Sequence, residues 1–313
     1  MNKLSKIYVA GHNGLVGSAI VRRLQGQGYE HIVTRTSKEL DLRDQQQVDA
    51  YFKSERPEYV FLAAAKVGGI LANATYPAQF LYDNLMIQSN VIEAARRYQV
   101  EKLLFLGSTC IYPKNAPQPL KESYLLTGEL ESSNEPYAIA KIAGIKMCSA
   151  FNKQFGTNYM SVMPTNLYGP NDNFDLQTSH VLPALMRKIH EAKQNNLSNV
   201  TIWGTGTPLR EFLHVDDLAD ACVYLFQTYD ASELGEFVNV GTGKDISIRE
   251  LAVLLCKVIG YEGHLVFDIS KPDGTPRKVT DIEKLSSLKW KPSISLVEGL
   301  KSTYSWYCEK EMR

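Results

Sequence analysis

The chain has 313 residues, of which 44% are hydrophobic and 22% are charged, and its 34 Lys and Arg residues balance 34 Asp and Glu residues. This composition is typical of a globular protein with one large α/β domain or a domain plus a smaller lobe, and zero net charge argues against a nucleic-acid or membrane partner. The five scattered cysteines include no Cys-x-x-Cys pair, so we expect no disulfide framework, no metal site and a cytoplasmic location.

A strand, a glycine-rich turn and a helix open the chain. Residues 6–10 predict a short buried strand, and apolar residues at helical spacing follow in residues 18–27. Between them stands Gly11-His12-Asn13-Gly14-Leu15-Val16-Gly17. Glycines at this spacing let the backbone approach a pyrophosphate at a helix N-terminus, so we predict that these seven residues bind a dinucleotide. A tight turn without a ligand is the alternative.

The end of the second predicted strand, residues 31–34, indicates which dinucleotide binds. A chain that binds NAD usually carries Asp or Glu about 20 residues after the glycines. Here the chain reads Thr34-Arg35-Thr36-Ser37. A cation with two hydroxyls suits the 2′-phosphate of NADP, so we predict NADP(H) as the cofactor, with Arg35 on that phosphate. Asp41 and Leu42 are expected to cover the adenine.

Three further strands complete the predicted sheet, and a long helix lies between two of them. The third strand, residues 59–65, ends in Ala63, Ala64 and Ala65, small side chains that suit either a nearby cofactor or a closely packed helix. Residues 66–70 read as a loop, and residues 102–107 and 158–163 as the fourth and fifth strands. The helix at 76–99 has a predicted apolar stripe of Phe80, Leu85, Ile87, Val91, Ile92 and Ala95. Strands that alternate with helices specify an α/β fold, a Rossmann-type doubly wound parallel sheet.

The alternation loosens after residue 165, which predicts a second, smaller α/β lobe. We therefore expect an NADP-binding Rossmann domain in residues 1–165, with elements that return near 210–245, and a mainly substrate-binding lobe in residues 166–313. Helices are predicted at 180–192, at 216–229 with an acidic N-terminal cap, at 247–259 and at 296–308. Residues 205–211 read as a turn. Ser247 and Glu250 predict a capping box.

Polar stretches follow the predicted strands at the edge where such sheets bind ligands. Ser108-Thr109-Cys110 comes directly after the fourth strand, and Tyr137 stands four residues before Lys141 on a predicted helix. Residues four apart share one helical face. A nearby ammonium lowers the pKa of a phenol, so Tyr137 is a candidate general acid whose pKa Lys141 adjusts. Taken alone, such a pair also arises by chance on surface helices, and a cysteine behind a strand is usually a packed hydrophobe.

The glycine turn, Ser108 and Tyr137-x-x-x-Lys141, in that order, resemble the extended short-chain dehydrogenase/reductase superfamily. Within it the chain is similar to the GDP-4-keto-6-deoxy-D-mannose epimerase/reductase family. The stretches that carry this similarity are residues 11–18, 63–69, 108–114, 134–144, 162–173, 203–217 and 267–278. The resemblance implies an enzyme that inverts two carbons beside a 4-keto group of this GDP-sugar and then reduces the ketone with NADPH.

The resemblance also implies roles for single residues. Cys110 would be the base and His180 the acid of the epimerisation, which needs proton transfer on both faces of the carbon. Ser108 and Tyr137 would bind the ketone oxygen, and Lys141 would tune the phenol and hold the nicotinamide ribose. Thr109, where the family often has Ser, stays outside the catalytic set. His214 is expected to be structural.

The remaining expectations concern cofactor, substrate and partner contacts. The resemblance implies further cofactor contacts from Leu106, Gly107, Ser108, Pro164, Thr165, Asn166, Leu167 and His180. It implies substrate contacts from Lys188, Trp203, Arg210, Asp273 and Lys278. The sequence leaves open whether Arg187 or Lys188 reaches the diphosphate and which cations of residues 271–278 do so. The family is also expected to form a homodimer through helices of the nucleotide domain, including the one with Tyr137.

Two other readings of the sequence stay open. A nucleotide-sugar 4-epimerase or 4,6-dehydratase of the same superfamily recycles its nicotinamide and usually carries Thr or Ser at the position of Cys110. Cys110 and Arg35 argue against this class. A non-catalytic NADP-binding regulator would be expected to lack Ser108, Tyr137 or Lys141, and the chain has all three.

Overall fold

The computed structural model describes residues 1–271 and 273–311. In chain order the strands are β1 (Ile7–Ala10), β2 (Ile32–Val33), β3 (Tyr59–Leu62), β4 (Lys102–Leu106), β5 (Tyr159–Pro164), β6 (Asn166–Tyr168), β7 (Asn199–Trp203), β8 (Leu209–His214), β9 (Val238–Val240), β10 (Asp245–Ser247), β11 (His264–Asp268) and β12 (Arg277–Lys278). The helices are α1 (Leu15–Gly26), α2 (Gln45–Glu55), α3 (Ile70–Thr75), α4 (Pro77–Arg97), α5 (Glu135–Phe155), α6 (Val181–Gln194), α7 (Val215–Thr228), α8 (Ala231–Leu234), α9 (Ile248–Ile259), α10 (Glu283–Ser287) and α11 (Leu296–Glu311). Within the described ranges, no helix has the length and apolar character needed to cross a membrane.

Six parallel strands form the main sheet in the order β2-β1-β3-β4-β5-β9. Every residue of β1 and of β5 is buried, because helices cover both faces of the sheet. The predicted Rossmann-type fold class is confirmed. The strand order reverses between β1 and β3, and a doubly wound sheet opens a ligand crevice at such a switch point.

The buried face of α4 differs from the apolar stripe predicted for this helix. Leu85 and Ile87 of α4 are only partly buried, whereas Asn84 and Gln88 are buried. The Asn84 amide bonds both backbone groups of Lys66 at 3.0 Å, and Gln88 donates to a carbonyl of α5 at 2.6 Å. The predicted stripe is partly wrong, because the buried backbone groups that α4 contacts also need polar partners.

The smaller sheet is built around β8. Strands β6 and β12 pair with β8 in parallel and β10 pairs with it antiparallel, while β7 and β11 form a separate parallel pair. Helices α6, α9 and α11 pack together through buried Leu185, Leu251 and Leu300. The capping box of α9, in which Ser247 and Glu250 bond each other's backbone, is confirmed.

Several predicted boundaries are corrected by the structure. Helix α1 begins at Leu15, inside the glycine turn, and β3 ends at Leu62, so the three alanines that follow it lie in a loop. Helix α3 begins where a loop was predicted, and β8 begins at Leu209, inside a predicted turn. The predicted acidic cap of α7 is wrong: its N-cap is His214, whose imidazole accepts the amide N–H of Asp216 at 3.2 Å.

Buried polar contacts join the two sheets. Asn239 of β9, which has no exposed surface, accepts the hydroxyl of Tyr112 at 2.5 Å and donates to the carbonyl of Leu120 at 2.9 Å. Leu120 in turn forms a β-bridge with Thr280, two residues after β12. The segment that follows β4 is thereby fixed to both the main sheet and the segment that follows β12.

Candidate active site

The glycine turn leaves no room for side chains at two of its positions. Gly11 has a φ of +83°, and a Cβ there would lie 2.7 Å from the amide nitrogen of Ala64. A Cβ on Gly17 would overlap the carbonyl of Gly11. The turn after β1 can therefore approach the loop after β3 only because these positions are glycine.

This turn suits an anion. Helix α1 has no side-chain cap at Gly14 and no acidic residue in its first turn. The buried Nδ1 of His12 has no hydrogen-bond partner among the described residues. Uncapped helix amides favour negative charge, so the turn fits the pyrophosphate of a dinucleotide.

Charged side chains cluster near the end of β2 and around α2. The guanidinium of Arg35 donates to Glu55 at 2.8 Å and lies 5.3 Å from the ring centroid of Tyr51. Asp41 is held by Arg43 at 2.8 Å, and hydrogen bonds from Arg43 keep the pKa of Asp41 below its usual range. Sequence reasoning missed Arg43, although its place two residues after Asp41 was a visible signal.

Ser108, Cys110 and Lys141 meet at the C-terminal end of β4. Ser108 precedes a 3-10 turn, and its Oγ accepts the amide N–H of Cys110 at 3.4 Å. The buried ammonium of Lys141 donates to the carbonyl of Leu106, the last residue of β4, at 2.8 Å. The same ammonium lies 5.7 Å from the ring centroid of Tyr137. The structure therefore brings four of the five predicted catalytic residues together.

Burial controls the ionisation of these groups. It raises the pKa of Tyr137, and the neighbouring Cys110 raises it further, so the predicted net lowering by Lys141 is wrong here. Burial lowers the pKa of Lys141 to about 8. Burial also raises the pKa of the Cys110 thiol, against the opposing charges of Lys278 and Lys141. A phenol that keeps its proton at neutral pH is suited to act as an acid.

His180, the fifth predicted catalytic residue, lies on a different element. It is the N-cap of α6, and the segment before it is held by Gly69, whose amide donates to Thr178 at 2.8 Å. A Cβ on Gly69 would lie 2.6 Å from the carbonyl of Ser179. The imidazole keeps an exposed side, but the surrounding atoms desolvate it and lower its pKa. Its side chain makes no hydrogen bond to Cys110 within the described part of the chain.

An exposed tryptophan lies between two lysines at the edge of the smaller lobe. Trp203 is 61% exposed, and the ammonium groups of Lys188 and Lys271 lie 5.2 and 5.6 Å from its ring centroid. Arg187, by contrast, bonds Glu191 at 2.6 Å. Lys188 rather than Arg187 thus faces the indole. Such a group can stack on a planar base and attract an anion.

Of the other predicted substrate residues, Arg210 lies on β8, Lys278 on β12 and Asp273 in the loop before β12. Lys278 stands opposite Arg210 in the register of the two strands. Asp273 accepts the amide and hydroxyl of Thr205 at 3.0 and 2.7 Å, which orders the turn after β7. The carbonyl of Leu209 holds one guanidinium nitrogen of Arg210 at 2.8 Å.

Glu211 is a buried carboxylate that sequence reasoning missed. It accepts the amide N–H groups of Thr242, Gly243 and Thr280 at 2.5, 2.7 and 2.8 Å. An acid directly before the apolar pair Phe212-Leu213 was the available signal. His214, expected to be structural, is buried against Tyr168 with a ring separation of 5.3 Å.

Among the described residues, no group of three or more His, Cys, Asp or Glu could hold a metal ion.

Comparisons with known proteins cover nearly all of the chain. The family described as "NAD dependent epimerase/dehydratase family" matches residues 7–241. The chain is 61% identical over 306 residues to GDP-L-fucose synthase 1 of Arabidopsis thaliana, which covers 98% of this chain and 94% of that protein. It is 55% identical over 314 residues to GDP-L-fucose synthase of Escherichia coli (strain K12), covering 98% of each.

A solved structure matches as completely. MlghC, described as a GDP-mannoheptose C4 reductase from Campylobacter jejuni with NADP bound, is 44% identical and superposes with a TM-score of 0.91. The match covers 98% of this chain and 99% of that one.

Proposed function

The chain belongs to the NAD dependent epimerase/dehydratase family, and we propose that it is a GDP-L-fucose synthase, which converts GDP-4-keto-6-deoxy-D-mannose into GDP-L-fucose with NADPH. The observation that carries this proposal is the place of Cys110 beside Ser108 and Lys141 at the end of β4. Reduction alone would not need a thiol there. The high identity to two GDP-L-fucose synthases supports the same reaction.

NADP(H) is the cofactor, as in the solved relative that holds NADP. The turn of residues 11–17 would hold the pyrophosphate, Arg35 the 2′-phosphate, and Asp41 with Leu42 the adenine. Leu106, Gly107 and residues 63–65 and 164–167 would line the nicotinamide side. NADPH supplies, when bound, the hydride that reduces the ketone.

Cys110 and His180 carry out the epimerisation. The ketone acidifies the hydrogens on both neighbouring carbons, so the thiolate of Cys110 can remove one of these protons. The electron pair moves onto the ketone oxygen, where the hydroxyls of Ser108 and Tyr137 stabilise the negative charge. His180 then returns a proton to the carbon from the other face, which inverts it.

The reduction uses the phenol of Tyr137. Since burial keeps Tyr137 protonated, it can donate its proton to the ketone oxygen as that oxygen becomes an alkoxide. Lys141, fixed to the carbonyl of Leu106, places a positive charge beside the phenol and favours the phenolate that remains.

The GDP moiety is assigned to the smaller lobe, in line with the division of the chain at residue 165. Trp203 would stack on the guanine or ribose, and Lys188, Arg210 and Lys278 would face the diphosphate, with Asp273 ordering the adjoining turn.

A homodimer is proposed through α4 and α5, whose Tyr82 and Ile139 are 61% and 43% exposed. We retain the proposal of a cytoplasmic location, which the scattered cysteines support.

The test mixes purified protein with NADPH and GDP-4-keto-6-deoxy-D-mannose and follows the absorbance of the nicotinamide. Stoichiometric oxidation is expected, and its absence would reject the reductase. In deuterated water, Cys110→Ser should lose exchange at the carbons beside the ketone while it still binds NADPH. Exchange at the wild-type rate would remove Cys110 from the mechanism. A 4-epimerase or 4,6-dehydratase would consume no NADPH.

A further inference from the structure

The segment before His180 is held at Thr178 from two sides. The amide N–H of Gly69, in the loop after β3, donates to the carbonyl of Thr178 at 2.8 Å. One carboxylate oxygen of Asp175 accepts the amide N–H and the hydroxyl of Thr178 at 2.9 and 2.8 Å. Because Thr178 stands only two residues before His180 in the sequence, these bonds limit where the imidazole can lie.

A buried asparagine fixes Gly69. The side-chain amide of Asn73, which is 6% exposed, donates to the carbonyls of Gly68 and Gly69 at 2.8 and 3.0 Å. The loop meets the segment of Thr178 closely, since a Cβ on Gly69 would lie 2.6 Å from the carbonyl oxygen of Ser179. Loss of the Asn73 amide would remove a donor from two loop carbonyls, so this side chain holds the loop in the arrangement that meets Thr178.

The same loop lies beside Tyr137. A Cβ on Gly68 would lie 3.1 Å from the ring of Phe80, and that ring packs edge-on against the ring of Tyr137 with a centroid separation of 6.2 Å. Strands β3 and β4 are parallel neighbours, so the loop after β3 and the turn after β4 emerge at the same edge of the sheet. The loop therefore ties the segment before His180 to that edge.

An exposed aspartate shapes the segment itself. Besides Thr178, the carboxylate of Asp175 accepts the amide N–H of Gln177 at 3.0 Å, and the backbone carbonyl of Asp175 accepts the amide N–H of Ser179 at 3.0 Å. Hydrogen bonds from Thr178 and Gln177 lower the pKa of Asp175, so its carboxylate is ionised at neutral pH and only accepts. Because the side chain is exposed, its removal takes these bonds away without opening a cavity in the core.

We propose that Asn73 and Asp175 position His180 for the epimerisation and act on the reaction only through that histidine. The inference rests on the proposed function, in which His180 returns a proton to the sugar carbon. It extends that function to two residues outside the catalytic set. Neither of them bonds the imidazole itself within the described part of the chain, so both are positioning residues, which act through the backbone before His180.

Proton return is the step that depends on this placement. Cys110 takes a proton from the carbon beside the ketone: a C–H bond breaks, an S–H bond forms, and the electron pair moves onto the ketone oxygen. His180 then gives an N–H proton to the other face of the same carbon, and the electron pair returns to the new C–H bond. Both groups regain their starting protonation state by exchange with water. Since a misplacement of about 1 Å can slow such a step about 100-fold, a displaced imidazole leaves the sugar uninverted.

Hydride transfer provides a reference that does not use this proton. In the reverse direction, GDP-L-fucose gives a hydride to NADP⁺, and its hydroxyl proton leaves to water through Tyr137, so the alcohol becomes a ketone. No proton on a neighbouring carbon moves in this step. A variant that only displaces His180 should therefore lose inversion but keep the formation of NADPH in the first turnover.

The test follows inversion in deuterated water with the full chain, NADP⁺ and GDP-4-keto-6-deoxy-D-mannose. NADP⁺ supplies no hydride, so the ketone is not reduced, and NMR resolves the inverted, deuterated sugar from the starting one. Asp175→Ala and Asn73→Ala should each invert the sugar at least about tenfold more slowly than the wild type, while NADPH formation from GDP-L-fucose changes by less than about twofold. Asp175→Asn, which keeps the oxygen acceptor, should restore most of the wild-type rate. Inversion at the wild-type rate in Asp175→Ala would overturn the proposal.

Further variants separate positioning from stability. In a His180→Ala background, Asp175→Ala should cause no further loss of inversion, and a further loss of about tenfold would overturn the proposal. Asn152→Ala is the matched control, since the Asn152 side chain also holds a backbone, bonding the amide and the carbonyl of Tyr159 at 2.9 and 2.8 Å near the last turn of α5. It should lower the melting temperature and still invert the sugar at the wild-type rate. A slowing as large as that of Asp175→Ala would count against positioning.

Failure of the proposed function would look different. A wild type that neither inverts the sugar nor forms NADPH from GDP-L-fucose rejects the proposed function. A wild type that does both, beside an unaffected Asp175→Ala, rejects only the positioning role. Asp175→Ala decides the outcome if Asn73→Ala, a buried change, does not fold.

Discussion

Glu211 accepts both the amide N–H and the hydroxyl of Thr280, each at 2.8 Å. The acceptor is a carboxylate with no exposed surface, and its other oxygen receives the amides of Thr242 and Gly243. One side chain therefore joins β8 to the loop after β9 and to the segment after Lys278. The residue next to it, Arg210, is one of the proposed diphosphate contacts.

Glu211→Gln should destabilise the fold. The amide nitrogen of Gln would face backbone N–H groups that now donate to a carboxylate, and a buried donor left without an acceptor costs about 1–3 kcal/mol. We expect a loss of about 2–4 kcal/mol in the free energy of unfolding, measured by urea denaturation. Glu30→Gln, at an exposed position, is the control and should unfold like the wild type. Equal stability of the two variants would contradict the role assigned to Glu211.

Gly17→Ala should weaken NADPH binding. The new Cβ would overlap the carbonyl of Gly11 and push apart the turn that holds the pyrophosphate. Titration calorimetry should show a dissociation constant raised by about tenfold or more, which corresponds to about 1.4 kcal/mol. Gly26→Ala, in the last turn of the same helix, meets no atom within 4 Å and should bind NADPH normally. Unchanged affinity in Gly17→Ala would show that the turn does not contact the cofactor.

Lys188→Met should act on substrate binding rather than on chemistry. The Lys188 ammonium faces Trp203 and is only partly buried, and charge-assisted bonds to a phosphate contribute about 1.5–3 kcal/mol. We expect KM for the GDP-sugar to rise about tenfold while kcat changes little, in steady-state assays of NADPH oxidation. Arg187→Met, which breaks the contact with Glu191, should leave KM nearly unchanged. The reverse pattern would exchange the two assignments.

Lys141 should make stability depend on pH. Burial lowers its pKa from 10.5 to about 8 in the folded chain. Between these values the unfolded chain binds a proton that the folded chain does not, so folding stability rises with pH. The wild type should therefore gain about 3 kcal/mol relative to Lys141→Met between pH 8 and pH 10.5, measured by urea unfolding at each pH. A constant difference between the two proteins would mean that Lys141 stays charged when folded.

The fold class could be read from the sequence because it depends on local patterns. Strands, glycine turn and helices follow one another in the order that a parallel sheet requires. Helix α2 was overlooked although Asp44 caps it and Val48, Tyr51 and Phe52 have helical spacing. Its surrounding Gln and Asp residues concealed that pattern.

The site was predictable only as far as each residue followed a strand or shared a helix face. Ser108 and Cys110 come directly after β4, and Lys141 lies one turn after Tyr137. The hydrogen bond from the amide of Thr280 to Glu211 joins residues 69 positions apart, so no spacing rule reveals it. The direction of the Tyr137 pKa was wrong because burial, which no local pattern reports, outweighs the nearby ammonium.

Asn239 has a consequence for how the chain unfolds. It belongs to the main sheet, yet its side chain bonds Tyr112 and Leu120, and Leu120 bridges Thr280, two residues after β12. Melting either sheet alone would break these buried hydrogen bonds. We therefore expect the two sheets to lose their structure together, in a single cooperative transition.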